Sequence, residues 1–567
     1  KDIGQPDEAV QCYRQAIQLK PDYADAHYNL GNVFKEQKQF DQAVACYRQA
    51  VKFRPEFEEA LTNLSSALRT LGDTETALLY ANRVFEKDPH SLQYAIQAHL
   101  ALPVIPTNVE AIMEWRKRFI KGIATLSNLP PFSTTSLEHL SGTSFYLAYH
   151  NSSDRPIMEA LRHFYRTRVP DLTFTAPHIT DWRTPRSREQ RIKMGFLSEF
   201  LRDHTIGKHY KGFIAHLDRN RFEVVVIHAS KTKQDDFSRE LDSLADKAIA
   251  LPAKLKDQQQ VVAAERLDAL FYPDIGMSSA TYFLAYARLA PVQATSWGHP
   301  DTSGLDTMDY YVAATSNEAE GAQDNYTERL VRLNRLPCFY YQTPVAATLQ
   351  LTKAKLGLPE SGTLYGCPQA LFKIHPDFDA VLAEIAAGDP TGHLMLPEGT
   401  YPEWTTLLKA RWEKTYPVLL ERVVFMPRMS WEKFMAMMSH MDVLLDPLHF
   451  GSGNTFYDAM VQGTPVVTWP GTFGRGRNVA AAYQQMGVAG APVAHSLEEY
   501  APLALALGRD VSRRESLRKV LLDASTQHLF QDMRAVREFE IFLEGAVTAA
   551  GEGKLLPAGW ICDSNSK

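Results

Sequence analysis

The sequence predicts an α-helical repeat array followed by two doubly wound α/β domains, and three observations carry that expectation. Pro21, Pro55 and Pro89 recur at a fixed step of 34 residues. From Arg191 to about Arg509, short apolar runs alternate with helical patterns, as in parallel sheets covered by helices. Inside the second such run lies Asp446–Asn478, where an apolar strand, a glycine loop and a helix follow one another. That order makes an anion site, because unpaired amide N–H groups and the helix dipole point at the loop.

Composition bounds the answer. A chain of 567 residues allows three or four domains. The net charge of −6, with no basic tract, argues against nucleic acid as a partner. Five cysteines form no Cys-x-x-Cys pair and are odd in number, which suits reduced thiols in a cytoplasmic protein. No apolar run reaches the length of a bilayer span and no signal peptide opens the chain, so no membrane partner is expected. The sequence starts at Lys1 and the first repeat lacks one helix, which predicts a chain cut from something longer.

The array is assigned to residues 1–125. Ala9, Ala43 and Ala77, Tyr13 and Tyr47, and Ala16 and Ala50 fall in register with the prolines, and Gly4, Lys38 and Gly72 take the turn position. Tyr28-Asn29-Leu30-Gly31, Ala43, Tyr47, Ala50 and Pro55 resemble the tetratricopeptide pattern. Such arrays present a concave surface to a protein or peptide, so the array is read as a partner-binding arm. Residues 126–188 read as a helical connecting region, with a Pro/Ser/Thr loop around Asn128–Ser136 and no assigned chemistry.

The first sheet domain is assigned to 189–345. Ile192–Leu197 is its first strand, Glu199–His209 a polar loop and Tyr210–Leu217 a helix; Phe222–Ile227, Leu267–Tyr272 and Val292–Ala294 continue the alternation. The second is assigned to 346–535, with strands near Leu364, His393–Leu396, Val423–Phe425, Met441–Asp446 and Val466–Trp469. Asn454 or Thr455 is expected to cap the helix after Gly451-Ser452-Gly453. Residues 536–567 are read as a C-terminal helix and tail. Ligands bind such sheets at the carboxyl ends of the strands, so two facing sheets place one ligand between them.

Several motifs in fixed order resemble the family 41 glycosyltransferases. They are Trp297-Gly298-His299-Pro300-Asp301-Thr302-Ser303-Gly304, Asp309-Tyr310-Tyr311, Leu371-Phe372-Lys373-Ile374-His375-Pro376 and the Asp446–Asn478 stretch, with the repeats in front. The resemblance implies a GT-B architecture, two Rossmann-like domains around a cleft. It also implies inverting, metal-independent transfer of a sugar from a UDP-sugar to a protein side chain. With a repeat array attached, N-acetylglucosamine on Ser/Thr hydroxyls is the expected chemistry. The run Pro447–Thr455 is closer to the bacterial branch, which includes N-glucosyltransferases using UDP-glucose on asparagine. A non-catalytic scaffold that binds UDP is the reading from another class. Lys373, Asn454, Thr455 and Asp458 are all present, which speaks against it.

The resemblance also assigns residues. Lys373 matches the family's essential lysine, where an ammonium neutralises charge growing on the departing diphosphate. Gln369 is near the uracil-contacting position. Asn454, Thr455 and Asp458 match phosphate- and ribose-contacting positions, and Gly453 stands where many relatives carry a histidine. From their place flanking Gly476 after a strand, and not from the resemblance, either Arg475 or Arg477 reaches the phosphates, or the pair faces solvent. His204 occupies the loop of the family's conserved histidine, facing the acceptor; Asp268 replaces a histidine of the animal enzymes; Gly298, His299 and Pro300 belong to the acceptor-side loop. Trp431 stands where animal enzymes place a lysine. Asp377-Phe378-Asp379 looks like a metal-binding Asp-x-Asp but reads better as the acidic first turn of a helix, so no metal or other cofactor is expected.

Overall fold

The computed structural model describes residues 6–132, 144–182, 190–342 and 351–563, and these fall into two compact units.

One unit holds the chain up to Phe132 together with Gly399–Arg411. Its helices Pro6–Leu19, Ala24–Glu36, Phe40–Phe53, Glu58–Leu71 and Thr74–Lys87 pack in consecutive pairs, followed by Leu92–His99 and Val109–Ser127. Three of them end two residues before Pro21, Pro55 and Pro89, so the proline period is the helix period. Lys38 and Gly72 both take the left-handed conformation, at φ 61° and 94°, that turns one helix into the next. The core is Ala43, Tyr47, Ala50, Ala60, Leu61 and Leu64, all without exposed surface or nearly so. Gly399–Arg411 joins this unit through Trp404, whose Nε1 donates to Thr70 O at 2.9 Å, and Arg411, whose Nη1 donates to Pro106 O at 3.0 Å.

The other unit holds both sheets. The first has seven parallel strands: β1 (Ile192–Ser198), β2 (Phe222–His228), β3 (Lys247–Ala250), β4 (Ala269–Tyr272), β5 (Val292–Ser296), β6 (Tyr310–Ala314) and β7 (Arg329–Leu333), in the order β3-β2-β1-β4-β5-β6-β7. The second has five: β8 (Leu364–Gly366), β9 (His393–Pro397), β10 (Val423–Met426), β11 (Val443–Leu445) and β12 (Val466–Val467), in the order β10-β9-β8-β11-β12. All pairs are parallel. Central strands such as β4 and β5 are buried along their whole length, which is why they read as continuous apolar runs.

Some expected boundaries move. The helix after β1 is Thr205–His216, not Tyr210–Leu217, because the His204 side chain caps it and recruits the preceding five residues. The cap of helix Asn454–Gln462 is Gly453, and neither Asn454 nor Thr455 serves as its side-chain cap. The expected break at residue 125 falls inside helix Val109–Ser127, and that at 535 inside Met533–Gly551. This last helix packs Val536, Phe539, Phe542 and Leu543 into the core of the first sheet, so it is not a separate tail. The breaks at 188 and 345 lie at or beyond the edge of the described residues, as does Gly4. The five cysteines are free thiols. Among the described residues no helix is long and apolar enough to cross a membrane.

Candidate active site

Each sheet has its first strand beside its fourth, β1 against β4 and β8 against β11, with the later strands running outward in opposite directions. The crevice of a doubly wound sheet opens at that point, beyond the carboxyl ends of the strands. The loops that leave those ends carry nearly all the residues singled out above.

On the second sheet the organising group is Asp446, which ends the β11 run and is 2% exposed. Its Oδ1 accepts from Ser452 N at 2.6 Å and its Oδ2 from Thr468 Oγ1 at 2.7 Å, folding the glycine loop back over the strand end. Ser452 Oγ accepts from Gln369 Nε2 at 3.0 Å, and Gln369 Oε1 accepts from Lys373 Nζ at 2.8 Å. The ammonium also stands 4.9 Å over the Phe450 ring. Burial lowers the Lys373 pKa to about 8, against the opposing pull of Asp446 and Cys367, so the side chain is a cation near neutral pH. Gln369 is 3% exposed with both ends of its amide engaged. It therefore positions Lys373.

Helix Asn454–Gln462 points its amino end at the same loop. Asn454 Nδ2 donates to Asp458 Oδ2 at 2.7 Å, and Tyr340 OH donates to Asn454 Oδ1. Burial pushes Asp458 up to about 6; Lys208 from the first sheet's helix and the Trp431 indole both favour its ionised form. Thr455 stands in the first turn, half-buried. A Cβ added at Gly453 would meet nothing within 4 Å.

On the first sheet, His204 follows β1. Its Nδ1 accepts from Ile206 N at 3.2 Å, and its ring stacks on Phe200 at 4.6 Å. Burial, then Arg202 and Lys208, lower its pKa to about 4, so the ring is neutral. With the Nδ1 lone pair taken by an amide, the proton sits on Nε2, and the free edge offers a donor. Gly298 and His299 follow β5. A Cβ at Gly298 would collide with Pro273 O, so only glycine fits there. His299 is 6% exposed, lies against Phe145 and has its pKa lowered to about 4 by burial. Pro300 lines a water-sized cavity of about 10 Å³ with Trp297 and Asn317.

Asp268 does not reach this site. It precedes β4, at the amino end of the sheet, where Oδ2 accepts from Lys193 N at 2.7 Å and Oδ1 from Trp182 Nε1 at 3.2 Å. It closes the wrong end of the strands for catalysis and is a structural carboxylate. Its opposite number at the carboxyl end is Asp274, missed by sequence reasoning. Asp274 has no exposed surface, no hydrogen bond of ordinary geometry to either oxygen, and a pKa raised to about 7 by burial.

Arg475 neither reaches a phosphate nor faces solvent. It is 3% exposed; Nη1 donates to Asp301 Oδ2 at 2.9 Å and Nη2 to Ser152 O at 2.7 Å, with Asp154 Oδ2 at 3.8 Å. Arg477 donates from Nη1 to Gly471 O at 2.9 Å and stays half-buried beside the loop. The Arg475 contacts reveal a segment to which no chemistry had been assigned, residues 144–154, whose density of aromatic side chains was the only sequence signal. Asp377 and Asp379 diverge: Asp379 is buried in helix Pro376–Gly388, while Asp377 Oδ2 accepts from His449 Nε2 at 2.8 Å and lies 3.2 Å from His375 Nδ1. Among the described residues these three, His375, Asp377 and His449, are the group whose ligand atoms come close enough together for a metal, within 4.8 Å of one another.

Comparison with known proteins fits this geometry. Residues 1–38 match a model described as TPR repeat, residues 24–57 one described as Tetratricopeptide repeat, and residues 341–538 one described as Glycosyl transferase family 41. The chain is 26% identical over 362 residues to the probable UDP-N-acetylglucosamine–peptide N-acetylglucosaminyltransferase SPINDLY of Oryza sativa, covering 61% of this chain and 37% of that protein. It is 25% identical over 259 residues to the UDP-glucose:protein N-beta-glucosyltransferase of Actinobacillus pleuropneumoniae, covering 45% of this chain and 40% of that one. The chain thus spans well under half the length of these curated relatives. The O-GlcNAc transferase of Thermobaculum terrenum, solved as a mutant, has the same fold, with a TM-score of 0.69 at 23% identity over 97% of this chain and 95% of that one.

Proposed function

We infer that this chain, a tetratricopeptide-repeat glycosyltransferase of family 41, moves N-acetylglucosamine from a UDP-sugar to Ser/Thr hydroxyls of proteins, with inversion and without a metal. The observation that carries the reading is Lys373, held 2.8 Å from Gln369 and beside the glycine loop at the carboxyl end of β8. In the reaction the acceptor oxygen attacks the anomeric carbon from one face while the bond to the diphosphate breaks on the other. The loop amides and the helix dipole take the diphosphate, Asp458 takes the ribose hydroxyls, and Lys373 neutralises the charge that grows as UDP leaves. His204 orients the reactants as a donor through Nε2; the acceptor's proton passes to a phosphate oxygen of the donor. The repeat unit selects protein acceptors.

A second reading, glucose transferred from UDP-glucose to asparagine, is favoured by the run Pro447–Thr455 and by the likeness to the Actinobacillus protein. Mass spectrometry of modified acceptor peptides separates the two.

The donor site is tested through Asp458. Asp458→Ala is expected to weaken UDP binding by roughly 2–3 kcal/mol in calorimetry, the scale of lost charge-assisted hydrogen bonds. An unchanged dissociation constant removes Asp458 from the site and overturns this placement of UDP.

The pH profile follows from the same groups. Asp458, raised to about 6, loses its charge below that pH; Lys373, lowered to about 8, loses its charge above it. The kcat/KM for UDP-N-acetylglucosamine, whose phosphates do not titrate there, should be highest between these values and fall on both sides. Asp458→Asn should abolish the acid limb and leave the alkaline one. An alkaline limb that survives replacement of Lys373 by Arg at the same pH would assign it to another group.

A further inference from the structure

Phe145–Tyr149 forms a short 3-10 helix outside the stretch that the glycosyltransferase family model matches. Its rings touch loops of both sheets. Phe145 lies 5.1 Å from His299, on the loop after β5. Tyr146 lies 5.8 Å from Phe372, on the loop after β8, and Tyr149 lies 5.0 Å from Phe372 and 4.5 Å from Phe450. Phe372 is the residue before Lys373, and Phe450 carries the Lys373 ammonium over its face at 4.9 Å. Tyr149 and Phe450 are buried, whereas Phe145, Tyr146 and Phe372 keep part of their surface open.

We propose that Phe145 and Tyr146, with Phe372, form the wall of the donor site against which the transferred sugar ring lies. The proposal rests on the reading of the chain as a UDP-sugar transferase. The sugar is bonded directly to the diphosphate that Lys373 neutralises, so its ring must lie within about one ring width of that ammonium, in a pocket closed mainly by apolar surface. Partly open apolar surface beside Lys373 is offered by this aromatic set, since Phe372 precedes it in the chain and contacts Tyr146. One face of a pyranose presents C–H groups, and the electron-rich face of an aromatic ring attracts them while excluding water. Water exclusion in turn strengthens the field of Lys373 on the leaving group. The turn is well placed for this because Ser152, three residues beyond it, is bound by Arg475 at 2.7 Å, and Asp154 follows at 3.8 Å.

Calorimetry on the whole chain with UDP and with UDP-N-acetylglucosamine tests the wall. Tyr146→Ala and Phe145→Ala should leave the affinity for UDP within about twofold and weaken that for UDP-N-acetylglucosamine by about three- to tenfold, the scale of one aromatic contact. Tyr146→Phe should retain the unaltered ratio and serve as the folding control. Parallel weakening of both ligands would make the segment a brace and overturn the proposal. Unchanged affinity for both, with a raised KM for the protein acceptor, would give the wall to the acceptor and overturn it equally. If the unaltered chain binds no UDP, the transferase reading itself fails, and that result is distinct from either.

Discussion

Lys373→Ala is expected to lower turnover by at least about a thousandfold, equal to roughly 4 kcal/mol of transition-state stabilisation. In the proposed transfer, cleavage of the bond from sugar to diphosphate places new negative charge on the leaving oxygen, and the Lys373 ammonium beside the glycine loop is the group to meet it. The lysine comes preorganised: Gln369 holds it at 2.8 Å, Ser452 fixes the Gln369 amide at 3.0 Å, and Asp446 fixes Ser452 at 2.6 Å. Little reorganisation remains for the moment of reaction. UDP affinity should fall far less, because loop amides and the helix dipole still contact the ground-state diphosphate. Single-turnover rates and calorimetric UDP binding on the same variant separate the two. If His204→Ala proved the more damaging change at intact donor affinity, the main catalytic contribution would lie with His204 and Lys373 would be chiefly a binding residue.

Arg475→Ala should destabilise the two-sheet unit by about 3–5 kcal/mol, the scale for removing one partner of a buried ionic cluster. The guanidinium is almost wholly buried and links Asp301 on the first sheet's β5 loop, at 2.9 Å, to the Ser152 carbonyl at 2.7 Å. Burial already holds the Asp301 carboxyl well above the usual range, and Arg475 is what opposes that. Without the arginine, the folded protein favours protonated Asp301 still more, while the unfolded chain keeps an ordinary carboxyl. A group whose folded pKa is raised loses its contribution as pH rises, so the deficit of the variant should grow from acid to alkaline pH. Denaturant unfolding at two pH values measures this. A loss below about 1 kcal/mol at alkaline pH would mean that the cluster is not a brace.

What the sequence made legible was local. A 34-residue proline step spells out helix ends directly, and Gly453, Asn454 and Asp458 lie within one loop-to-helix turn, so their neighbours in sequence are their neighbours in space. Asp268, assigned from the resemblance alone, stands at the amino start of β4 and away from the loops at the carboxyl ends, a placement that depends on strand pairing across the sheet. The Thr205 start of its helix was hidden because histidine is an uncommon cap. The Arg475 cluster was illegible for a different reason: its partners Asp301 and Ser152 are 174 and 323 positions away, beyond any pattern of period or spacing.

Gly399–Arg411, emitted from the second sheet's half of the chain, completes the packing of the repeat unit, and this bears on the order in which the protein is made. Trp404 meets Thr70 across 334 positions. At a synthesis rate of roughly 5–20 residues per second, the repeats wait on the order of 20 to 70 seconds on the ribosome before that helix emerges. During that interval the surface it will cover stays open to chaperones and to other nascent chains. The array is therefore completed at one edge only after the first sheet has been translated, although its own helices precede that sheet in the chain.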